Sequence, residues 1–185
     1  WSSDVCSSDL LKFRDDIAQL VEDLRGAITA ALESEDLRQR SQLIHEEFST
    51  RRDRALEDLR ERASRQDVAL IRTPVGLGLA PMQHGDVIDV KAFEQLPEAE
   101  RTRLQASVAA FEDELAAILR DAPKWHRESH KKIRALKHEA TKAAVDALIV
   151  DVKAEYSAHA GVLAFLDALE ADVIENADEI GRAHV

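Results

Sequence analysis

Leu104-Gln105-Ala106-Ser107-Val108-Ala109-Ala110-Phe111-Glu112-Asp113-Glu114-Leu115-Ala116-Ala117-Ile118 spaces its large apolar residues in alternating steps of four and three. At that interval a helix keeps presenting one face to a partner helix, so the stretch reads as coiled-coil packing. Pro97 stands just ahead of it, where a missing N–H costs nothing. Glu98 and Glu100 follow in the first turn, facing the positive end of the macrodipole. Downstream, Pro123 is expected to start a further helix running to about Tyr156, with Ile133, Leu136, Ala140, Val145, Leu148 and Val152 along one side. Gly161 is expected to separate a last helix whose inward residues are Val162, Leu166, Leu169 and Val173.

Upstream, Phe13, Ile17, Leu20, Val21, Leu24, Ile28 and Leu32 recur at helical spacing over residues 11–33. Residues 35–66 continue as the same helix or as a second one, on a thinner seam of Leu37, Ile44, Phe48, Ala55, Leu59 and Ala63, which breaks at Arg51 and Arg52. Glu47/Arg51, Asp58/Arg62 and Glu61/Arg65 stand four apart and support an exposed helix modestly. At about 1.5 Å per residue this helix would reach roughly 48 Å. Residues 11–66 therefore read as a projecting arm packed along one narrow side.

Residues 68–88 break the helical pattern. Val68-Ala69-Leu70-Ile71-Arg72-Thr73 is β-favouring and too short for a helix. Thr73-Pro74-Val75-Gly76 carries Pro and Gly at the second and fourth positions of a type I turn. Gly76-Leu77-Gly78-Leu79-Ala80 then alternates small with large up to Pro81, which predicts a β-hairpin over 68–82. His84-Gly85-Asp86 is a further turn, and Asp89 suits the cap of a short helix ending near Leu96. The fold class that follows is mainly α: an elongated antiparallel helical, coiled-coil domain with one small β-hairpin and helices over 89–177.

Composition agrees. Of 185 residues, 33% are charged and 4% aromatic, with 6 Gly and 4 Pro, which describes a helix-former with a thin core. A net charge of −11 argues against nonspecific binding to nucleic acid or an anionic membrane. No stretch approaches the roughly 20 apolar residues of a membrane-spanning helix, and no secretory leader opens the chain. The Ser-rich, aperiodic residues 1–10 and the tail Gly181-Arg182-Ala183-His184-Val185 look like translated sequencing adapter, so both are expected to be non-native. Cys6, in that leader, is the only cysteine. The native remainder would then lack thiols altogether, which fits a reducing compartment. The native protein is expected to continue beyond both ends.

Four stretches, in order, resemble one family. They are Ala30-Ala31-Leu32-Glu33-Ser34-Glu35-Asp36-Leu37-Arg38, then Leu70-Ile71-Arg72-Thr73-Pro74-Val75-Gly76-Leu77-Gly78-Leu79-Ala80-Pro81, then Phe93-Glu94-Gln95-Leu96-Pro97-Glu98, and Val162-Leu163-Ala164-Phe165-Leu166-Asp167-Ala168-Leu169-Glu170-Ala171-Asp172. The family is the Lon-like proteases of the LonC type, whose AAA module carries a large helical insertion. The resemblance covers nearly all of residues 11–180 and is structural, without a catalytic signature. It implies a cytoplasmic, ring-forming serine peptidase as the parent, with a Ser-Lys dyad in a separate C-terminal domain and ATP as a possible ligand of the parent alone. It also implies as partners the flanking AAA and peptidase domains, neighbouring subunits of the ring and substrate polypeptides, with no nucleic acid and no membrane. Residues 11–180 would be a non-catalytic domain shaping the ring entrance and substrate access.

No catalytic, cofactor-binding or metal-ligating residue is assigned within the chain. It holds no G-x-x-x-x-G-K-[ST] loop to cradle phosphates. His126 and His130 lie four apart on one helix with His138 two turns on, but the order His-Arg-Glu-Ser-His is not that of a zincin. Zinc would need a third ligand from elsewhere, and solvated histidines are the expected state. Lys124, Arg127, Lys131, Lys132, Arg134, Lys137 and Lys142 form a basic stripe relieved only by Glu128 and Glu139. It reads as a neutralising or solvated face, since Trp125 is its only aromatic and no nucleic-acid motif surrounds it. Trp125, close after Pro123, reads as a core or hinge anchor. Two other readings stand beside the protease domain: a free-standing helical scaffold that binds partners through its coiled-coil arm, and a metal-dependent hydrolase using the histidines. The candidate contact element is the hairpin: Leu70, Ile71, Arg72, Thr73, Pro74, Gly76, Leu77, Gly78 and Leu79.

Overall fold

Ser34 marks the first corner of the chain. Its hydroxyl accepts the Leu37 N–H at 3.3 Å and its carbonyl accepts the Arg38 N–H at 3.1 Å, a capped helix start with Glu35 and Asp36 in the first turn. In the computed structural model, which describes residues 7–177 and 179, this corner joins α1 (Ser7–Leu32) to α2 (Glu35–Ser64). A small sheet follows: β1 (Val68–Thr73), β2 (Gly76–Gln83) and β3 (Asp86–Val87). The helices α3 (Val90–Glu94), α4 (Glu98–Glu155) and α5 (Ala160–Glu175) complete the order. The protein is thus mainly α with a small antiparallel sheet. Most of the two terminal stretches expected to be non-native lies outside the described residues, although α1 begins within the first of them, at Ser7.

The chain divides into two compact units. One contains the residues up to Ile44 together with those from Lys131 onward; the other is His45–His130. In the first, Leu20, Leu24 and Ile28 of α1 meet Val145 and Ile149 of α4 and Leu166 and Val173 of α5, all buried. All of these but Ile149 are among the predicted inward residues; Ile149 is buried in the core where the sequence pattern puts Leu148, which is only partly buried. At the far end of α4, Tyr156 donates its hydroxyl to Asp16 Oδ2 at 2.6 Å, and the Phe13 ring meets it edge-on at 5.2 Å. Lys153 reaches α5, with Asp167 at 2.7 Å and Glu170 beside it.

In the second unit, Leu59 and Ala63 of α2, Val68 of β1 and Phe111 and Leu115 of α4 form the buried core. Leu70, Leu77 and Leu79 close it from the sheet side. Arg62 pairs with Asp58 at 2.9 Å on its own helix and with Glu114 of α4 at 2.6 Å. Both pairs are exposed and screened by solvent, so they add little. Burial of the seam residues stabilises the unit more, by about 1.5–3 kcal/mol for each large side chain.

Three features differ from the sequence expectation. Pro123 does not begin a helix; it lies inside α4, which runs unbroken for 58 residues. A proline within a helix loses a single backbone hydrogen bond and crowds the preceding turn. Here the seam is buried on both sides, at Phe111 and Leu115 before it and at Ile133 and Leu136 after it, and that packing holds the helix through the defect. Gly161 likewise falls within α5 rather than ahead of it, and His159 takes the cap position. Finally, the two residues of β3 add a third strand.

Replacing Pro123 with Ala restores the missing N–H at an exposed position. We expect Pro123→Ala to stabilise the protein by about 1–3 kcal/mol, the scale on which proline is disfavoured inside a helix. Urea unfolding followed by circular dichroism measures this, and a loss of stability would contradict the account of α4. Tyr156 supplies a second test, because it is the only tyrosine of the chain. Its hydrogen bond to Asp16, reinforced by burial and by that carboxylate's charge, pushes the phenol up to about 12. The folded pKa is raised, so the bond's contribution is complete below the unfolded value of about 10 and is lost as pH rises through the folded value. Alkaline difference absorbance should show one phenolate step near pH 12, falling toward about 10 in Asp16→Ala.

Candidate functional site

The hairpin forms as the sequence indicates, with a two-residue tip at Pro74 and Val75. β1 and β2 pair antiparallel with Thr73 opposite Gly76, Ile71 opposite Gly78, Leu70 opposite Leu79 and Val68 opposite Pro81. Gly76 sits at φ 134°, a conformation that side chains strain to adopt, and Thr73 donates its hydroxyl to the Gly76 carbonyl at 3.0 Å. Gly78 is closely packed: a Cβ there would stand 3.2 Å from the Thr73 methyl, which would have to shift by a few tenths of an ångström. Leu77 and Leu79 share one face because strand side chains alternate, and that face packs on the core. Val75, at the tip, is 99% exposed, and Arg72 is exposed as well.

Asp67 prepares the entry to β1. It takes a positive φ of 59° directly after α2, its carbonyl accepts the Met82 N–H at 2.7 Å, and its carboxylate holds Arg103 at 2.8 Å. At the other end of β2, His84 and Gly85 both take positive φ, the backbone pattern of a tight two-residue hairpin turn. This turn returns the chain into β3, which pairs with Met82 and Gln83. Asp89 caps α3 as anticipated, accepting the Ala92 N–H at 2.7 Å.

The two edges of the hairpin are not alike. β1 has no strand partner on its outer side among the described residues. β2 is central in the strand order, with β3 covering its outer side at Met82 and Gln83. From Gly76 to Ala80 the outer side of β2 remains without a strand partner among the described residues. An apolar depression of about 420 Å³ opens there, walled by Leu79, Ala80 and Pro81 of β2, Val90 and Phe93 of α3 and Val108 of α4. Val90 is 74% exposed. Unpaired strand backbone beside an apolar trough is the arrangement that accepts an extended polypeptide.

The other residues singled out in the sequence fall elsewhere. His126 and His130 do meet, with their Nε2 atoms 3.2 Å apart. His138 instead lines a separate depression with Arg134, Lys137 and Thr141. The stripe's Lys124 and Lys142 pair within their own helix, with Asp121 at 2.8 Å and Asp146 at 2.6 Å. Trp125 is half-buried with the Arg51 guanidinium 4.8 Å from its ring centre, a cation–π contact that accounts for the Arg51 break in the α2 seam. His45, which no sequence pattern marks, comes to Ser129 and to the His130 ring. Among the described residues, no helix is long and apolar enough to cross a membrane. Compared with known proteins, the chain matches no family model, no curated protein and no solved structure.

Proposed function

We propose that this chain is a non-catalytic helical domain of a Lon-like serine protease of the LonC type, which shapes the ring entrance and meets substrate polypeptide through its hairpin. The observation that carries the contact role is the unpaired outer side of Gly76–Ala80 beside the apolar trough of Leu79, Phe93 and Val108. An unfolded substrate brings to such a place what a folded partner lacks: free backbone groups along its whole length and side chains alternating between two faces. The parent assignment rests on the resemblance of the four stretches alone, and these are spread along the fold. Residues 30–38 make the α1–α2 corner, 70–81 the hairpin, 93–98 the α3–α4 junction, and 162–172 lie in α5. Peptidase chemistry and any ATP belong to flanking domains of a cytoplasmic parent. The leucine face does pack on the domain's own core, so the hairpin both closes that core and offers its backbone outward.

Hydrogen exchange on the whole chain tests the contact role. In an antiparallel pair every second amide of β2 points away from β1. The outward amides of 76–80 are expected to exchange orders of magnitude faster than those around Leu148 and Val152. They should slow when reduced, carboxymethylated α-lactalbumin is added as an unfolded polypeptide. Protection as strong as at Leu148 and Val152 in the chain alone would overturn the contact role.

The parent assignment has its own test. Genomic sequence beyond both ends is expected to encode a phosphate-binding loop upstream and a Ser-Lys peptidase domain downstream. Stop codons flanking residues 11–180 would overturn it and favour the free-standing scaffold.

A further inference from the structure

A depression of about 470 Å³ lies between α4 and α5, within the unit that resumes at Lys131. That volume is in the range of small-molecule clefts. Arg134, Lys137, His138 and Thr141 line it from α4. Spaced by three and four, they share one face of the helix. Ala171 and Ile174 line it from α5. Arg134 and Lys137 have no ion-pair partner among the described residues. Lys142, which also borders the depression, is instead held by Asp146 at 2.6 Å. Thr141 is 1% exposed, and its Oγ1 has no hydrogen-bond partner among the described residues. Buried hydroxyls are normally paired, so this one is a group waiting for a partner. We propose that the depression binds a small organic phosphate monoester: Arg134 and Lys137 take the phosphate, Thr141 and His138 donate to it, and Ala171 and Ile174 cover the ester body.

The chemistry of the donors selects this class. A guanidinium and an ammonium bring two positive charges and no acceptor, which matches a dianion. Arginine holds phosphate through a planar fork and lysine as a point charge. The terminal oxygens of a phosphate can accept from four side chains at once, whereas a carboxylate offers only two oxygens and a single charge. Water could satisfy the Thr141 hydroxyl, but it would leave both cations without a counter-charge. Glu175, the only carboxylate in the lining, opposes a second anionic group, so the ester body carries none. Ala171 and Ile174 offer that body apolar contact without hydrogen bonds, so it is short and apolar. The chain as a whole carries a charge of −11 and does not draw anions by its overall field. Binding therefore has to come from these local donors.

Calorimetric titration of the whole chain at fixed ionic strength tests this, with n-butyl phosphate, inorganic phosphate and sodium chloride as probes. Butyl phosphate should bind at one equivalent, inorganic phosphate more weakly and chloride not at all. Arg134→Gln and Lys137→Gln should each weaken butyl phosphate about tenfold or more, the scale of one charge-assisted hydrogen bond lost. His138→Ala should weaken it measurably, and Glu175→Gln should tighten it. Thr141→Val should weaken binding while raising the urea midpoint, since it removes an unpaired buried hydroxyl; a purely structural role would move the midpoint alone. Arg127→Gln, the same charge change on α4 outside the lining, should bind as the parent does. Circular dichroism confirms that the helices persist, which partly or fully exposed Arg134, Lys137 and His138 permit. No binding of butyl phosphate at millimolar concentration would overturn the proposal. Undiminished binding in Arg134→Gln or Lys137→Gln would overturn it as well, as would equal weakening in Arg127→Gln. Equal affinity for inorganic and butyl phosphate would overturn the monoester class.

Discussion

Burial of α4 residues is the constraint on which both units depend. The same helix supplies Phe111 and Leu115 to one core and Val145 and Ile149 to the other. With few aromatics in the chain, neither core has much apolar area in reserve. An interruption of α4 would withdraw residues from the partners they cover. The helix therefore continues through Pro123 in spite of its local cost: the loss of one hydrogen bond is smaller than the loss of packed side chains on both sides.

The sheet obeys a related constraint. Two or three short strands are marginal in water unless one face is covered. Val68, Leu70, Leu77 and Leu79 obtain that cover from α2 and α4. The glycines opposite them keep the other face thin, and the backbone at the outer side of β2 stays uncommitted. A hairpin of this kind is rigid because of its apolar face, and that rigidity presents its edge in a fixed geometry. The contact role does not require the hairpin to be loose; it requires only that its edge be open.

Much of this was legible in the sequence because it is local. The α1 seam, the strand pattern with Pro74 and Gly76 at the turn, and the Asp89 cap each depend on residues within a few positions of one another. The features that escaped are those decided by distant residues. Pro123 signals a helix start when read alone, and only the burial of residues on both sides overrides it. β3 is too short to show a period. His45 gives no signal, since its neighbours Ser129 and His130 come from a helix more than eighty positions away. The partial cover of β2 by Asp86 and Val87 gives no signal of its own either.

The closeness of His45 and His130 has a further consequence. These are the first and last residues of one compact unit, and their rings meet edge to face, 5.9 Å between centres. A segment whose two ends meet can grow, shrink or be exchanged without disturbing the chain on either side, because the gap it must bridge stays the same. The residues between them are in this sense a cassette. Relatives of this protein can be expected to vary most in length here, and to keep the helices that enter and leave the segment even where everything between them differs.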